Sequence, residues 1–231
     1  MSKRIGILGG LTPESTVTYY QHIVHRYYQC HGDKSYPEIV IYSVSFQQFE
    51  DWMEAEEWEP IFKALLDGLC HLRDAGADFA VIATNTMHLL FDQLEQSSPI
   101  PLISILETTG RAIEARGFRV VGLLGSRFTM EKSFYAESLA RRGIDSLIPD
   151  PADRKEIHRV IMEELGIGLL SDESRKRWLQ IISRLRDRGA QGIVLGCTEI
   201  PLLIRPDDTS VPLFDTTVLH AEEALRYATT E

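Results

Sequence analysis

The sequence predicts an α/β fold built from two similar halves. Three observations carry that prediction. Strand-like and helix-like segments alternate along the chain, the strands read as continuous apolar runs, and the second half repeats motifs of the first. Continuous apolar runs suit parallel strands covered on both faces, and the alternation implies short connections.

The elements follow in order. Ile5–Leu8 is an apolar run closing on Gly9-Gly10, and a helical pattern runs from Pro13 to about Tyr28. Residues 39–44 read as a strand, 57–75 as an amphipathic helix ending at Gly76, and 79–83 as a compact apolar strand. From Arg119 the alternation returns, with a strand over 120–124 and helices over 130–142, 154–165 and 173–188. A last apolar strand covers 193–195.

The repeat is the most informative feature. Residues 73–86, Arg-Asp-Ala-Gly-Ala-Asp-Phe-Ala-Val-Ile-Ala-Thr-Asn-Thr, align without a gap on 186–199, Arg-Asp-Arg-Gly-Ala-Gln-Gly-Ile-Val-Leu-Gly-Cys-Thr-Glu, an offset of 113 (Arg73 to Arg186). Ile5-Gly6-Ile7-Leu8-Gly9-Gly10 matches Val121-Gly122-Leu123-Leu124-Gly125-Ser126 at offset 116 (Gly6 to Gly122). Pro101-Leu102-Ile103 matches Pro212-Leu213-Phe214 at offset 111 (Pro101 to Pro212). Three matches in order, at nearly constant offset, predict two pseudo-symmetric α/β domains. Residues 1–104 with 213–231 form the one that carries Thr84, and 105–212 form the one that carries Cys197.

Composition removes several function classes. The 231 residues carry 24 Lys+Arg against 34 Asp+Glu, a net charge of −10, with no basic stripe for a phosphate backbone or an anionic membrane. At 44% hydrophobic and 25% charged residues the chain is an ordinary globular mixture. No apolar run reaches the roughly 18 residues a membrane span needs, and Ile5–Gly10 is too short and too glycine-rich for a signal-peptide core. Cys30, Cys70 and Cys197 are odd in number and widely spaced, which suggests neither a disulfide framework nor a metal site. A cytoplasmic protein with free thiols is the expectation, and Cys30 and Cys70 read as packing residues.

The chemistry-bearing residues cluster just past strand ends, where open parallel sheets bind ligands. Thr84 and Cys197 are equivalent in the repeat. If the two halves face each other across a cleft, these side chains approach one ligand from opposite sides, which serves proton transfer at the two faces of one carbon. Cys197 precedes a helix start marked by Pro201, so backbone N–H groups are expected to lower its pKa. A buried structural cysteine is the plain alternative. Asn85 and Thr86 offer groups for an α-carboxylate or amino group, or they merely cap a helix following from His88. The Gly9-Gly10-Leu11 loop fails the G-x-G-x-x-G spacing and suits a small ligand approached by backbone better than NAD. Its repeat partner offers the Ser126 and Thr129 hydroxyls, and Thr198 and Glu199 follow the cysteine. His22 and His25, three apart, have no companion at a metal-binding spacing. The acidic run 50–59, which contains Trp52 and Trp58, reads as a solvated helix face, a lid or a subunit contact.

Together these motifs resemble the aspartate/glutamate racemase family of cofactor-independent racemases. The resembling residues are Gly9-Gly10 with 13–16, Thr84-Asn85-Thr86-Met87-His88, Gly125-Ser126-Arg127-Phe128-Thr129 and Gly196-Cys197-Thr198-Glu199-Ile200, spanning nearly the whole chain. The resemblance implies two Rossmann-like domains with mostly parallel four-stranded sheets and a cleft between them. It also implies action without PLP or metal and a homodimer, with an amino acid as the small-molecule partner. In that family two cysteines flank the substrate Cα. Cys197 matches the second, whereas Thr84 stands at the first, as in a subgroup read as acting on L-aspartate or L-glutamate. The implied roles are Cys197 as base and Thr84 as donor on the opposite face, with Glu199 orienting Cys197. Gly10, Leu11, Asn85, Thr86, Ser126, Thr129 and Thr198 are expected to line the substrate with it. The family's Arg after the second strand and its later Lys have no counterpart in 43–49 or 163–166. A broad-specificity racemase, a single-cysteine decarboxylase or isomerase, and a silent amino-acid-binding protein remain open at this point.

Overall fold

In a computed structural model that describes residues 2–32 and 34–230, the chain divides into two compact units, residues 1–105 with 220–231 and residues 106–219. The first contains β1 (Ile5–Gly9), α1 (Pro13–His31), β2 (Ile39–Ser43), α2 (Phe46–Glu54), α3 (Trp58–Asp74), β3 (Phe79–Ile82), α4 (Phe91–Ser97) and β4 (Leu102–Ile103). Its sheet has the order β2-β1-β3-β4 with every pairing parallel. Next comes α5 (Ile105–Ala115), followed by β5 (Val120–Gly125), α6 (Arg127–Glu131), α7 (Phe134–Ala140), β6 (Asp145–Leu147), α8 (Pro151–Glu163), α9 (Asp172–Asp187), β7 (Gly192–Gly196), α10 (Ile200–Leu203) and β8 (Leu213–Asp215). The second sheet, β6-β5-β7-β8, is also parallel and repeats the strand order of the first. The final helix, α11 (Thr216–Thr229), carries the chain back into the first unit at His220.

Each sheet is buried by the side chains the apolar runs supply. In the first unit Ile5 and Ile7 of β1, with Phe79 and Val81 of β3, pack against Tyr19 and Ile23 of α1 and Ala221, Ala224 and Leu225 of α11. The alternate β1 residue Leu8 points the other way, toward Gly68 of α3. In the second unit Leu124, Ile193 and Leu195 meet Ile157 and Val160 of α8 and Trp178, Ile181 and Leu185 of α9. Fully burying one such aliphatic side chain contributes about 1.5–3 kcal/mol, so these faces fix which side of each strand is inward.

Two helical expectations change. The single helix expected over 130–142 is two, because Ser126 caps α6 early and Lys132 is extended (ψ 149°), which ends it before Phe134. The last turn of α1 carries no buried side chain, so Cys30 is exposed and not a packing residue. The acidic run is solvated as expected, with only Phe49 and Met53 of α2 turned inward. No described helix is long and apolar enough to cross a membrane.

Two buried histidines organise the polar interior of the first unit. His220 sits between the Tyr19 hydroxyl (2.7 Å from Nδ1) and the Ile103 carbonyl (2.8 Å from Nε2), and His88 lies edge-on to it. Burial, then the neighbouring His220, pulls His88 down to about 3; burial pulls His220 down to about 4. Both are neutral in the fold, whereas an unfolded histidine takes a proton below about pH 6.5. Their contribution is therefore complete above that pH and is lost as pH falls toward 4 and then 3. Denaturant midpoints measured across that window are expected to drop, and to drop less in His220→Gln. A flat profile would contradict neutral buried rings.

Gly10 adopts a left-handed φ of 81°, and an added Cβ would overlap the Val44 backbone. Gly10→Ala is expected to cost at least about 1–2 kcal/mol, a fall in Tm of roughly 2–8 °C by calorimetry. An unchanged Tm would mean the loop is not so constrained.

Candidate active site

The two strand ends that sequence reasoning singled out are built differently. In the first unit, the Gly10 amide donates to Thr16 Oγ1 (2.8 Å), and Ser15 Oγ donates to the Ala83 carbonyl (2.7 Å). These bonds draw the Gly10-Leu11 loop and the first turn of α1 onto the residue before Thr84. Leu11 is buried beside them. Thr84 comes two residues after the end of β3, and its N–H closes a tight turn onto the Ile82 carbonyl (2.8 Å). Its own carbonyl accepts from His88 Nδ1 (2.8 Å). Among the described residues its Oγ1 has no partner, and the side chain is 9% exposed. Asn85 is buried with its carbonyl taken by the His88 amide (3.0 Å), and half-buried Thr86 opens a 3-10 turn over 86–90. No regular α-helix begins there, so the expected helix N-terminus is a 3-10 turn, which leads into α4.

In the second unit, β5 and β7 end side by side, with Gly125 paired to Gly196. A Cβ on either glycine would run into Thr129 Cγ2, at 2.8 and 3.0 Å. Thr129 is fully buried there as a buttress, and its hydroxyl lies 3.2 Å from Ser126 Oγ, which also accepts from the Thr129 amide. Of this pair only Ser126 keeps surface exposed. The Thr216 hydroxyl donates to the Leu195 carbonyl (2.9 Å), gripping β7 one residue before Gly196. Cys197 follows, half-buried, and its thiol donates to Glu199 Oε2 at 2.8 Å. Glu199 is 2% exposed, and Thr198 is half-buried beside it.

The expected lowering of the thiol pKa is reversed. Burial pushes Cys197 well above its ordinary value, and the Glu199 carboxylate adds to the rise through its charge and its hydrogen bond. Backbone bonds from Glu199 and Thr198 do pull downward, as the helix-start argument required. They are outweighed, because α10 is only four residues long and a carboxylate stands at its entrance. Cys197 thus rests as a thiol with a proton acceptor in hand. Within each unit the structure gathers the residues expected there: Gly10, Leu11, Thr84, Asn85 and Thr86 in one, Ser126, Thr129, Cys197, Thr198 and Glu199 in the other. Sequence reasoning missed Ser15, His88 and Thr216, each of which holds a strand-end carbonyl. Their only signal is a polar side chain within or beside a motif whose chemistry lies elsewhere.

Among the described residues no three His, Cys, Asp or Glu side chains gather into a metal-sized group. His22 pairs with Glu222 at 3.5 Å, and His25 is exposed.

Comparison with known proteins assigns the chain to a family. A Yersinia pestis protein described as a candidate Asp/Glu racemase is 39% identical, with a TM-score of 0.91 over 99% of this chain and 100% of that one. An aspartate racemase homologue from Pyrococcus horikoshii OT3 is 36% identical, with a TM-score of 0.87 and 100% of each chain covered. The broad specificity amino-acid racemase RacX of Bacillus subtilis is 22% identical over 96% of each length. The family model for Asp/Glu/hydantoin racemase matches residues 8–224, from β1 into α11 and across both units. The chain belongs to the Asp/Glu/hydantoin racemase family, and the enzyme is a racemase.

Proposed function

We propose that the enzyme interconverts L- and D-aspartate or glutamate by moving a proton at Cα, with the L-substrate favoured. Cys197 removes the α-proton from one face, and Thr84, relaying from water, delivers a proton to the other. The observation that carries this reading is the thiol of Cys197 donating to the buried Glu199 carboxylate. The proton passes from Sγ to Glu199, leaving a thiolate beside a neutral acid. The thiolate takes the α-proton, and the carbanion is protonated from the Thr84 side. The Glu199 proton then returns to solvent, and solvent refills the Thr84 side, so the cycle balances. Gly10, Leu11, Asn85, Thr86, Ser126, Thr129, Thr198 and Glu199 line the substrate or hold those that do. A cytoplasmic homodimer acting without PLP or metal belongs to the same reading. A wider side-chain range is the second reading, favoured by the lack of Arg in 43–49 and Lys in 163–166 and by the relative named as broad in specificity.

Incubation in deuterated water is expected to put deuterium at Cα of L-aspartate or L-glutamate as the D-enantiomer appears. Cys197→Ala is expected to lose both by at least about 100-fold. Exchange without inversion would mark a one-sided enzyme, and binding without exchange a silent module. A panel of apolar L-amino acids separates the narrow from the broad reading. Thr84→Cys is expected to raise kcat from the D-substrate.

Alkylation reads the resting thiol directly, since only thiolate reacts. By peptide mass spectrometry, iodoacetamide at pH 7 is expected to label Cys197 more slowly than exposed Cys30. Glu199→Gln removes two of the groups' raising effects and is expected to speed labelling of Cys197, roughly tenfold for each unit of pKa recovered. No acceleration in Glu199→Gln would sink the pairing.

A further inference from the structure

We infer that His88 is a positioning residue for the Thr84 hydroxyl, acting through the Thr84 main chain and not on the substrate. The inference rests on the reading of Thr84 as the group at the second face.

The geometry fixes the imidazole completely. The Ile105 amide, which can only donate, points at His88 Nε2 from 3.1 Å, so Nε2 is a bare acceptor. The proton therefore sits on Nδ1, which donates to the Thr84 carbonyl at 2.8 Å. The ring stacks on Phe91 (centroids 5.1 Å apart, 4° between planes) and meets His220 edge-on at 5.9 Å. At 2% exposure it has no surface to offer a substrate. An imidazolium would oppose an N–H to the Ile105 amide, so this contact excludes the charged form without reference to burial.

His88 thus ties Thr84 to residue 105, and that anchor is itself held. His220 Nε2 donates to the Ile103 carbonyl two residues earlier, and its Nδ1 accepts from the Tyr19 hydroxyl. Ser15 grips the Ala83 carbonyl on the other side. With its N–H on Ile82 and its C=O on His88, Thr84 has both main-chain groups occupied while Oγ1 stays free among the described residues. A donor that must reach one face of a carbanion gains from a backbone held this way, since misplacement by about 1 Å can cost roughly 100-fold.

The test separates the two faces. With L-aspartate or L-glutamate in deuterated water, deuterium entering the L-pool reports Cys197, and D-product reports the Thr84 side. His88→Gln keeps an acceptor for the Ile105 amide but loses the Nδ1 donor, whereas His88→Asn keeps a donor near Nδ1. His88→Gln is expected to lower D-product formation by about tenfold or more while exchange into the L-pool falls by less than about threefold. His88→Asn is expected to restore the wild-type ratio of inversion to exchange. Equal loss of both rates in the two variants, or an unchanged ratio in His88→Gln, overturns the inference while wild-type racemisation upholds the proposed function. Wild-type enzyme that neither exchanges nor inverts overturns both. Should His88→Gln fail to fold, His88→Asn still reads the ratio, and imidazole ¹⁵N spectra of the wild type read the ring. A protonated Nδ1 and bare Nε2 from about pH 8 to about pH 5 are expected, and a titrating or Nε2-protonated ring overturns the inference.

Discussion

A parallel strand that ends inside a fold leaves carbonyl groups with no further strand to receive them, and this enzyme answers that constraint with side chains. Ser15 takes the carbonyl of Ala83, His88 that of Thr84, and Thr216 that of Leu195. Each of these bonds lies within two residues of Thr84 or Cys197. Buried backbone acceptors must be satisfied in any protein, but here the satisfaction also sets where a hydroxyl and a thiol emerge. The register of the central pairs, Leu8 with Ile82 and Gly125 with Gly196, brings the neighbouring loops to the same level.

The two units use one strand order and reach different chemistry. At the end of β3 a hydroxyl without a described partner stands on a backbone clamped by a neutral imidazole. At the end of β7 the Cys197 thiol itself is partnered, and the surroundings are steric: Thr129 fills the space that Gly125 and Gly196 leave, so a side chain at either glycine would displace the turn carrying Cys197. In the proposed mechanism a hydroxyl and a thiol with a proton acceptor play unequal roles, unlike two matched thiols.

Much of this was legible in the sequence, for identifiable reasons. The apolar runs at 5–8, 79–83 and 120–124 mark central strands because strands covered on both faces cannot alternate. The near-constant repeat offset marks two units because equal spacing preserves equal topology, and both sheets do share one order. The edge strands β4, β6 and β8, of two or three residues, leave no periodicity to read. The break at Lys132 depends on the Ser126 cap. The thiol was misjudged because backbone amides are implied by any strand-to-helix turn, whereas the side-chain direction of Glu199 and the depth of burial are tertiary facts. The bonds of His88 were invisible because its partners at 84 and 105 are joined only through β3 and β4 pairing.

The asymmetry constrains what a preference for the L-substrate can mean. Enantiomers of one amino acid are equal in free energy in water, so the ratio of kcat/KM for the two directions must be one for any racemase. A threonine in place of a second thiol cannot break that equality. It can make kcat and KM move together, with the D-substrate bound in a complex whose first step asks a hydroxyl side to accept a proton. A threonine hydroxyl is far less acidic than a thiol of pKa about 8.5, which raises the Thr84-side transition state that both directions cross, so it slows both and cannot alone distinguish them. In the proposed mechanism the preference therefore resides in unequal internal states, with the D-complex lying lower than the L-complex.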